Sequence, residues 1–550
     1  MASLTPMQGA LGHRYAAHLL RRTSYRYTKA KVDELAGQTA AQAVASLLQL
    51  YPLLHDQPIY DQNESAGSAS PGTWCLPPGS LPPTEDFKLR PWLASWWAHE
   101  ALNDPGIGHR MVFFLHQYNA MAMTAFLTVH YFDYLSLLRW SALGNFKKLI
   151  TKMVVDNAML KYLNNTENSK ANPNENFARE FFELFTIGKG LQAGPGDYTN
   201  YTEDDIVQAA KVLTGFRVKG ARSILDTETN IPRGGLNFDE HDTTTKTFSD
   251  KFQGTAITGA ADEAGMWLEL DALINMTFAQ PETARNFCRR LYRYFVSRYI
   301  TPEIESDVIV PLADTFIAAN YEIKPVLEQL FQSQHFFDAD DSDNKDEIIG
   351  GLIKSPIELA LQGISFLDLA APDPDTDLEA YYDFFARGVL GRMFEQANMP
   401  LFFPPEVAGY PGYYQSPDYH RQWFNSSTIV ARYKIPAMLL SGKLTIGATP
   451  DDPLGAQFDA AAWVKNSGVI SDATDPYVLV QDLLEYLLPE ETDTDRFNYF
   501  YNIVFLDQLP PADWTYEWQN YLTTGDDTEV KIPLGRLFNA VMYSAEYQLL

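Results

Sequence analysis

Asn172-Pro173-Asn174-Glu175-Asn176-Phe177-Ala178-Arg179-Glu180-Phe181-Phe182-Glu183-Leu184-Phe185-Thr186-Ile187-Gly188 reads as one short helix with two unlike faces. Asn172 is the expected N-cap, Pro173 takes the first helical position, and Glu175 at N3 closes a capping box. At about 100° per residue, Glu175, Thr186, Arg179, Glu183, Asn176 and Glu180 fall in one arc. Leu184, Phe177, Phe181, Phe185, Ala178 and Phe182 fill the other. Three carboxylates, a guanidinium and an amide therefore face one way and an aromatic wall faces the other. The span 175–183 is the leading candidate for a functional surface.

The chain on either side is also helical in pattern. Thr28 caps Lys29 to Ala36, with Gly37 as the stop, and Thr39 begins a helix that turns Val44, Leu47 and Leu48 inward. Phe146, Leu149, Ile150, Met153 and Val154 form a helical stripe, as do Ile206, Ala209, Ala210 and Leu213 behind the cap Thr202. Ala284, Phe287, Leu291, Tyr294 and Phe295 form another, with Arg285, Arg289 and Arg293 on its flank. Residues 57–90 are Ser/Gly/Pro-rich and read as a long loop, with helices resuming at Pro91. Gly235 to Phe248 has the β-branched character of a short hairpin. Residues 396–425 read as a packed loop rich in Pro and Tyr, and 445–480 as a polar connection. The acidic loop from Asp338 to Glu347 is no EF-hand, because Asp343 stands where the turn glycine belongs and Ile349 where the bidentate Glu belongs.

The predicted fold is mostly α: a single large orthogonal helical assembly with long Pro/Gly-rich loops and one small β hairpin. Its parts are N-terminal helices over 1–56, the loop 57–90, a main helical body over 91–435 that carries the polar helix and the hairpin, and a C-terminal helical extension over 436–550. At 550 residues and 46% hydrophobic, the chain can bury a large core.

Acids outnumber bases 70 to 42, giving a formal charge of −28. Such a surface repels nucleic-acid phosphates and anionic lipid. No apolar run of about 18 residues occurs, so no membrane span is expected. Met1 to Arg22 has no apolar core of signal-peptide length, which predicts a cytoplasmic chain. Cys75 and Cys288 belong to no C-x-x-C pattern, which argues against a disulfide framework and a cysteine zinc site, while a single bridge between them stays open.

A family resemblance emerges from stretches taken in order: Ala17-His18-Leu19-Leu20-Arg21-Arg22, Phe114-Leu115-His116, Leu138 to Phe146, Pro173 to Glu180, Tyr201-Thr202-Glu203, Leu213-Thr214-Gly215-Phe216, His241-Asp242 with Lys246-Thr247-Phe248, Lys354-Ser355-Pro356, and Pro404 to Gly409. Together, from about residue 10 to about residue 435, they closely resemble a bacterial family known only as domain of unknown function 1800. The resemblance implies no settled activity. It implies an envelope or secreted role for many relatives, and a sulfatase-like companion protein as partner. Where that family commonly reads Phe-Trp-His-Asn-His-Phe, this chain reads Phe114-Leu-His-Gln-Tyr-Asn119, keeping His116 and replacing the second histidine with Tyr118. A metal site needing both histidines is weakened here.

Two readings of the polar helix stand side by side. Glu175, Arg179 and Glu183, one turn apart, make an ion-pair ladder on any exposed face, each pair worth about 0.3–0.5 kcal/mol. If the face instead lines a cleft, Arg179 would hold an anionic group and a carboxylate among Glu175, Glu180 and Glu183 would act as acid or base. His116, His241 and Asp242 are the candidate metal ligands, completed by Glu175 or Glu180 into a two-histidine, one-carboxylate site for a divalent metal. No dinucleotide fingerprint, Walker loop or nucleophile elbow occurs. The function expected is a metal-assisted hydrolase or oxidoreductase built on an acidic cleft. The alternative is a non-catalytic partner or assembly subunit acting with another protein.

Overall fold

Side-chain caps set several of the helix starts read above. The computed structural model describes residues 2–63, 71–74, 85–340, 348–442 and 458–550. Thr28 accepts the Lys31 N–H at the head of Lys29–Ala36. Capping boxes start Ala40–Leu47 (Thr39 with Gln42), Glu203–Val212 (Thr202 with Asp205) and Pro356–Phe366 (Ser355 with Glu358). Each cap is worth about 1 kcal/mol.

The apolar stripes face inward as expected. Phe146, Leu149, Ile150 and Met153 of Phe146–Met153 are buried, and so are Ala284, Phe287, Leu291, Tyr294 and Phe295 of Pro281–Phe295. Phe287 is a hub, with ring centroids 4.5 Å from Phe316 and 4.6 Å from Phe146. The fold is mostly α, and its strands form only small two-stranded sheets. No helix among the described residues is long and apolar enough to cross a membrane.

Several expectations need correction. The hairpin near 235–248 is not one hairpin. Gly235–Leu236 pairs with Phe216–Arg217, and Lys246–Thr247 with Ala256–Ile257, so each half finds its partner elsewhere. Short β-branched runs do not specify register when no long face is buried. The helix expected to resume at Pro91 begins at Asp86, with Pro91 inside Asp86–Asn103. Within the span read as loop, Ile59–Asp61 pairs with Pro71–Thr73. The span read as a polar connection contains Ala460–Asn466 and the start of Pro476–Leu487. Cys288 is buried and free. Cys75, half of the 57–90 loop and most of the acidic loop after Asp338 lie outside the described residues.

His18, Arg21 and Arg22, on the face of Gly12–Thr23 that carries part of the family resemblance, are buried outright. They belong to an interior group of cations: Arg21, Arg22, Arg110, Lys354 and Arg432, each at most 2% exposed. The carboxylate at its centre is Glu358, which accepts from Arg110 Nη1 and from the Ser355 N–H. The cations also staple distant main chain. Arg21 donates to Tyr486 O (2.7 Å), Arg22 to Leu550 O (3.0 Å), Lys354 to Tyr547 O (2.8 Å) and Arg432 to Lys354 O (2.8 Å). Burial holds the Arg22 guanidinium down at about 9 and Arg432 at about 10.

Breaking a buried ion pair by removing one partner costs about 3–5 kcal/mol, because the other charge is left uncompensated. Glu358→Ala is expected to destabilise the chain by that amount in urea denaturation. Lys531→Ala, which removes an exposed i,i+4 partner of Asp527, is expected to cost under about 0.5 kcal/mol. Equal losses from the two would contradict the central place given to Glu358.

Candidate functional site

The polar helix starts later than its Asn-Pro opening implies. Asn172 is not its N-cap and Glu175 closes no capping box; the helical span is Asn176–Glu180. The asparagines order the lead-in instead. Asn168 Oδ1 accepts the Asn174 N–H, and Asn174 Oδ1 accepts the Asn176 N–H, both at 2.9 Å. Asn176 Nδ2 donates to Leu163 O at 3.2 Å. From Phe181 to Phe185 the backbone widens into a π turn, a local feature frequent at functional sites.

The two faces separate as the sequence predicts. Phe177, Phe181, Phe182 and Phe185 are buried, and Phe182 stacks on Tyr201 (5.5 Å) and Phe252 (5.4 Å). Glu175, Arg179, Glu180 and Glu183 are half-buried. Arg179 is not free to receive an anion. Its fork is filled by Glu203, with Nη1–Oε1 at 2.8 Å and Nη2–Oε2 at 2.7 Å, and Glu175 adds a looser contact at 3.4 Å. The charge-assisted bond to Glu203, before any other effect, holds the Arg179 guanidinium above its ordinary range. Glu183 accepts from the Tyr201 hydroxyl at 3.2 Å and lies 3.5 Å from Lys189 Nζ.

Glu180 stands apart. It makes no hydrogen bond or ion pair within hydrogen-bonding distance of any described residue. Burial, and then the charge of Glu183, push its carboxyl up to about 7 against the opposing pull of Arg179 and Lys189. Sequence reasoning did not single out Tyr201, Glu203 or Lys189 as members of this site. The signal available was that Tyr201-Thr202-Glu203 is one of the stretches carrying the family resemblance.

The three candidate metal ligands are dispersed into separate environments. His116 is fully buried in Gly108–Tyr118 between aromatic rings, Phe402 the nearest at 5.2 Å. Tyr134 gives its one hydroxyl proton to Asn119 O (2.8 Å), so His116 Nδ1 must be the donor toward that hydroxyl (3.0 Å). Burial holds the His116 ring at about 3. His241 is also fully buried, and both of its ring nitrogens face acceptors: Thr214 O at 2.8 Å and Glu269 Oε1 at 3.2 Å. Both nitrogens are thus engaged by protein groups. Glu269 is shared with Lys246 Nζ at 2.7 Å. Asp242 accepts from the Thr244 N–H at 2.8 Å; burial works against its charge, but the Thr244 hydrogen bonds together with the charges of Lys246 and Lys211 hold the carboxyl below its usual range. Among the described residues, no ion-sized group of donors includes His116, His241, Asp242 or a carboxylate of the polar helix. The groups that do converge are His55–His99–Glu100 and His55–Asp373–Asp375.

A cleft of about 820 Å³ runs between the N-terminal helices and the Pro476–Leu487 region, with His13, Arg21 and Lys29 on one side and Asp482 and Glu485 on the other. A smaller hollow of about 340 Å³ is lined by Leu53, Trp96, His109 and Arg139. Glu175, Arg179, Glu180 and Glu183 line neither.

These features describe a mostly helical protein with a half-buried carboxylate face on a short helix. The chain belongs to the family described as "Protein of unknown function (DUF1800)", whose sequence model matches residues 18–549. That match runs past residue 435, where the motifs read from the sequence stop, and takes in the C-terminal helices. No curated protein and no solved structure matches the chain.

Removing the negative charge of Glu203 leaves Arg179 uncompensated and lets it act fully on Glu180. Glu203→Gln is therefore expected to lower the Glu180 pKa by roughly several tenths of a unit, read by carboxyl-carbon NMR titration. An unchanged or raised Glu180 titration would show that the Arg179–Glu203 pair and Glu180 are not electrostatically linked.

Proposed function

We propose that the chain is an acid–base enzyme of hydrolytic type, with Glu180 as the proton-carrying group and Glu183 as its neighbouring carboxylate. The observation that carries this reading is the contrast between them. Among the described residues Glu180 has no hydrogen-bond partner and burial pushes its carboxyl up to about 7, while Glu183, one turn away, is engaged by Tyr201 and Lys189. A pair of carboxyls in unlike environments is how proteins supply an acid and a base at neutral pH. Arg179 acts here as a positioning residue: tied to Glu203, it supplies a fixed positive charge rather than a grip on substrate. Proton delivery by a positioned carboxyl is worth about 10²–10⁴ in rate.

Glu180 can be tested before any substrate is known. Its folded-state pKa is raised above the ordinary value of 4.5. Its contribution to stability is therefore fully present below about 4.5 and is lost as pH rises through about 7. Glu180→Gln does not titrate. Relative to that variant, the parent chain is expected to lose about 1–2 kcal/mol between pH 4.5 and pH 8, a figure reduced for the partial exposure of the group. In a screen of chromogenic esters, phosphates and glycosides, the activity found is expected to fall above about pH 7 and to drop at least 100-fold in Glu180→Gln. Hydrolysis indifferent to that substitution would remove Glu180 from the reaction.

A second reading, a partner or assembly subunit, draws on one observation. Large exposed apolar side chains recur along the C-terminal helices and the connection between them: Tyr499, Ile503, Leu509, Tyr516, Leu522 and Ile532. Exposed apolar residues of this size, recurring within one stretch of chain, are what a contact surface would use. Light scattering at increasing concentration separates the two readings, since the assembly reading requires self-association or capture of a partner.

A further inference from the structure

Asp86–Asn103 is an interior helix, buried at every position from Leu93 to Leu102. An interior helix has no reason to carry an acid and a histidine side by side unless both are used, because burying an unpaired charge is expensive. Yet His99 and Glu100 sit there, 7% and 3% exposed.

Glu100 reaches the 53–56 loop. Its oxygens accept the N–H groups of Leu54 (2.7 Å) and His55 (2.9 Å). Trp96, one turn earlier on the same helix, donates its indole N–H to His55 O at 2.7 Å. One helix thus holds the His55 backbone through both its N–H and its carbonyl. The His55 ring lies between two carboxylates. Nε2 is 3.3 Å from Asp375 Oδ2, and Nδ1 is 3.6 Å from Glu100 Oε1. A neutral ring has one N–H. Given to Asp375, it leaves Nδ1 bare and facing a second acceptor across a gap too long for a hydrogen bond.

His99 completes the arrangement. Its ring sits against the edges of Tyr381 and Phe385, each at 5.4 Å, and its Nδ1 is buried with no partner. One donor atom each from His55, His99 and Glu100 lie within 4.8 Å of one another. Two histidine nitrogens and a carboxylate oxygen around one point are a donor set suited to a cation.

We propose that His55, His99 and Glu100 bind a divalent transition-metal ion of the zinc class, with Asp375 orienting His55 through its far nitrogen. Zinc–ligand bonds of about 2.0–2.1 Å place tetrahedral donors roughly 3.4 Å apart. The 3.6 Å gap between Nδ1 and Oε1 matches that with little movement. A carboxylate behind a ligating histidine is the usual means of fixing its tautomer. Three protein ligands leave a fourth position open, the pattern of reactive rather than purely structural sites. The site does not depend on Glu180 or on the acid–base reading.

The test is zinc binding by the full-length, tag-free chain after dialysis against a chelator, followed by calorimetry and by cobalt substitution read in the visible spectrum. One equivalent per chain is expected, with tetrahedral cobalt bands. Asp375 is exposed, so Asp375→Asn leaves the fold intact and is expected to weaken zinc binding about 10–100-fold. His99→Gln is expected to weaken it further and to abolish the cobalt bands. An imidazolium at His55 bridging Glu100 and Asp375 makes the opposite forecast of no stoichiometric metal. The proposal is overturned by that result, or by zinc affinity unchanged in Asp375→Asn whether or not His99→Gln folds.

Discussion

The structure closes on Glu358. One buried carboxylate, on Pro356–Phe366, sits among five buried cations drawn from Gly12–Thr23, Gly108–Tyr118, Ile429–Ser441 and the segment just before Pro356. Arginine suits this work because its planar fork can staple several carbonyls while keeping its charge. Arg22 does so, holding Ile348 O and Leu550 O, both hundreds of positions along the chain, while Arg432 ties the Lys354 carbonyl to the Gln548 side chain. The same choice sets a vulnerability. With cations in excess, Glu358 cannot be lost without stranding Arg110, and its capping bond at the start of Pro356–Phe366 goes with it. Helix caps and apolar stripes form the individual rods, while this polar centre fixes how the first and last of them meet.

The stretches that carry the family resemblance pair off in space. Ala17 to Arg22 meets Lys354-Ser355-Pro356 at the cation cluster, since Arg21 and Lys354 feel each other's charge and Arg432 reaches the Lys354 carbonyl. Pro173 to Glu180 meets Tyr201-Thr202-Glu203 through the Arg179 fork. Leu213 to Phe216 meets His241-Asp242 through Thr214. At that last contact Gly215 has φ +81°, and a Cβ there would stand 2.6 Å from Asn237 O, so only glycine lets the loops approach. Two of these three meetings are structural couplings. The one at Arg179 differs in leaving a carboxyl, Glu180, unpaired beside it.

Local signals carried the helices well. Thr39 with Gln42 and Thr202 with Asp205 are capping pairs visible three residues apart, and a stripe such as Phe146 to Met153 needs only its own periodicity. The aromatic wall of the polar helix was legible for the same reason. What failed needed partners distant in sequence. The halves of the 235–248 stretch pair with 216–217 and 256–257, and nothing within the stretch says so. The Asn-Pro opening suggested a cap because asparagine caps helices, but Asn168 competes for that lead-in and delays the first turn. Arg179 seemed free because its occupant lies 24 residues on.

The metal expectation shows the limit most clearly. The two histidines near distinctive motifs lack a converging set of donors among the described residues: His116 binds Tyr134 through Nδ1 and turns Nε2 into an aromatic surround, and His241 is held by Thr214 and Glu269. A histidine is available to a cation only when its lone pair is unclaimed, and that depends on what packs against each nitrogen. His99 meets the condition because its ring is walled by Tyr381 and Phe385, which offer its nitrogens no hydrogen bond. Its adjacency to Glu100 is written in the sequence. His55 lies 44 residues earlier, in a loop with no motif of its own, and reaches the pair only because Trp96 and Glu100 fasten its main chain. The scaffold that places the histidine is thus the same helix that supplies its co-ligands, so the donors share one rigid frame even though the chain between them is long.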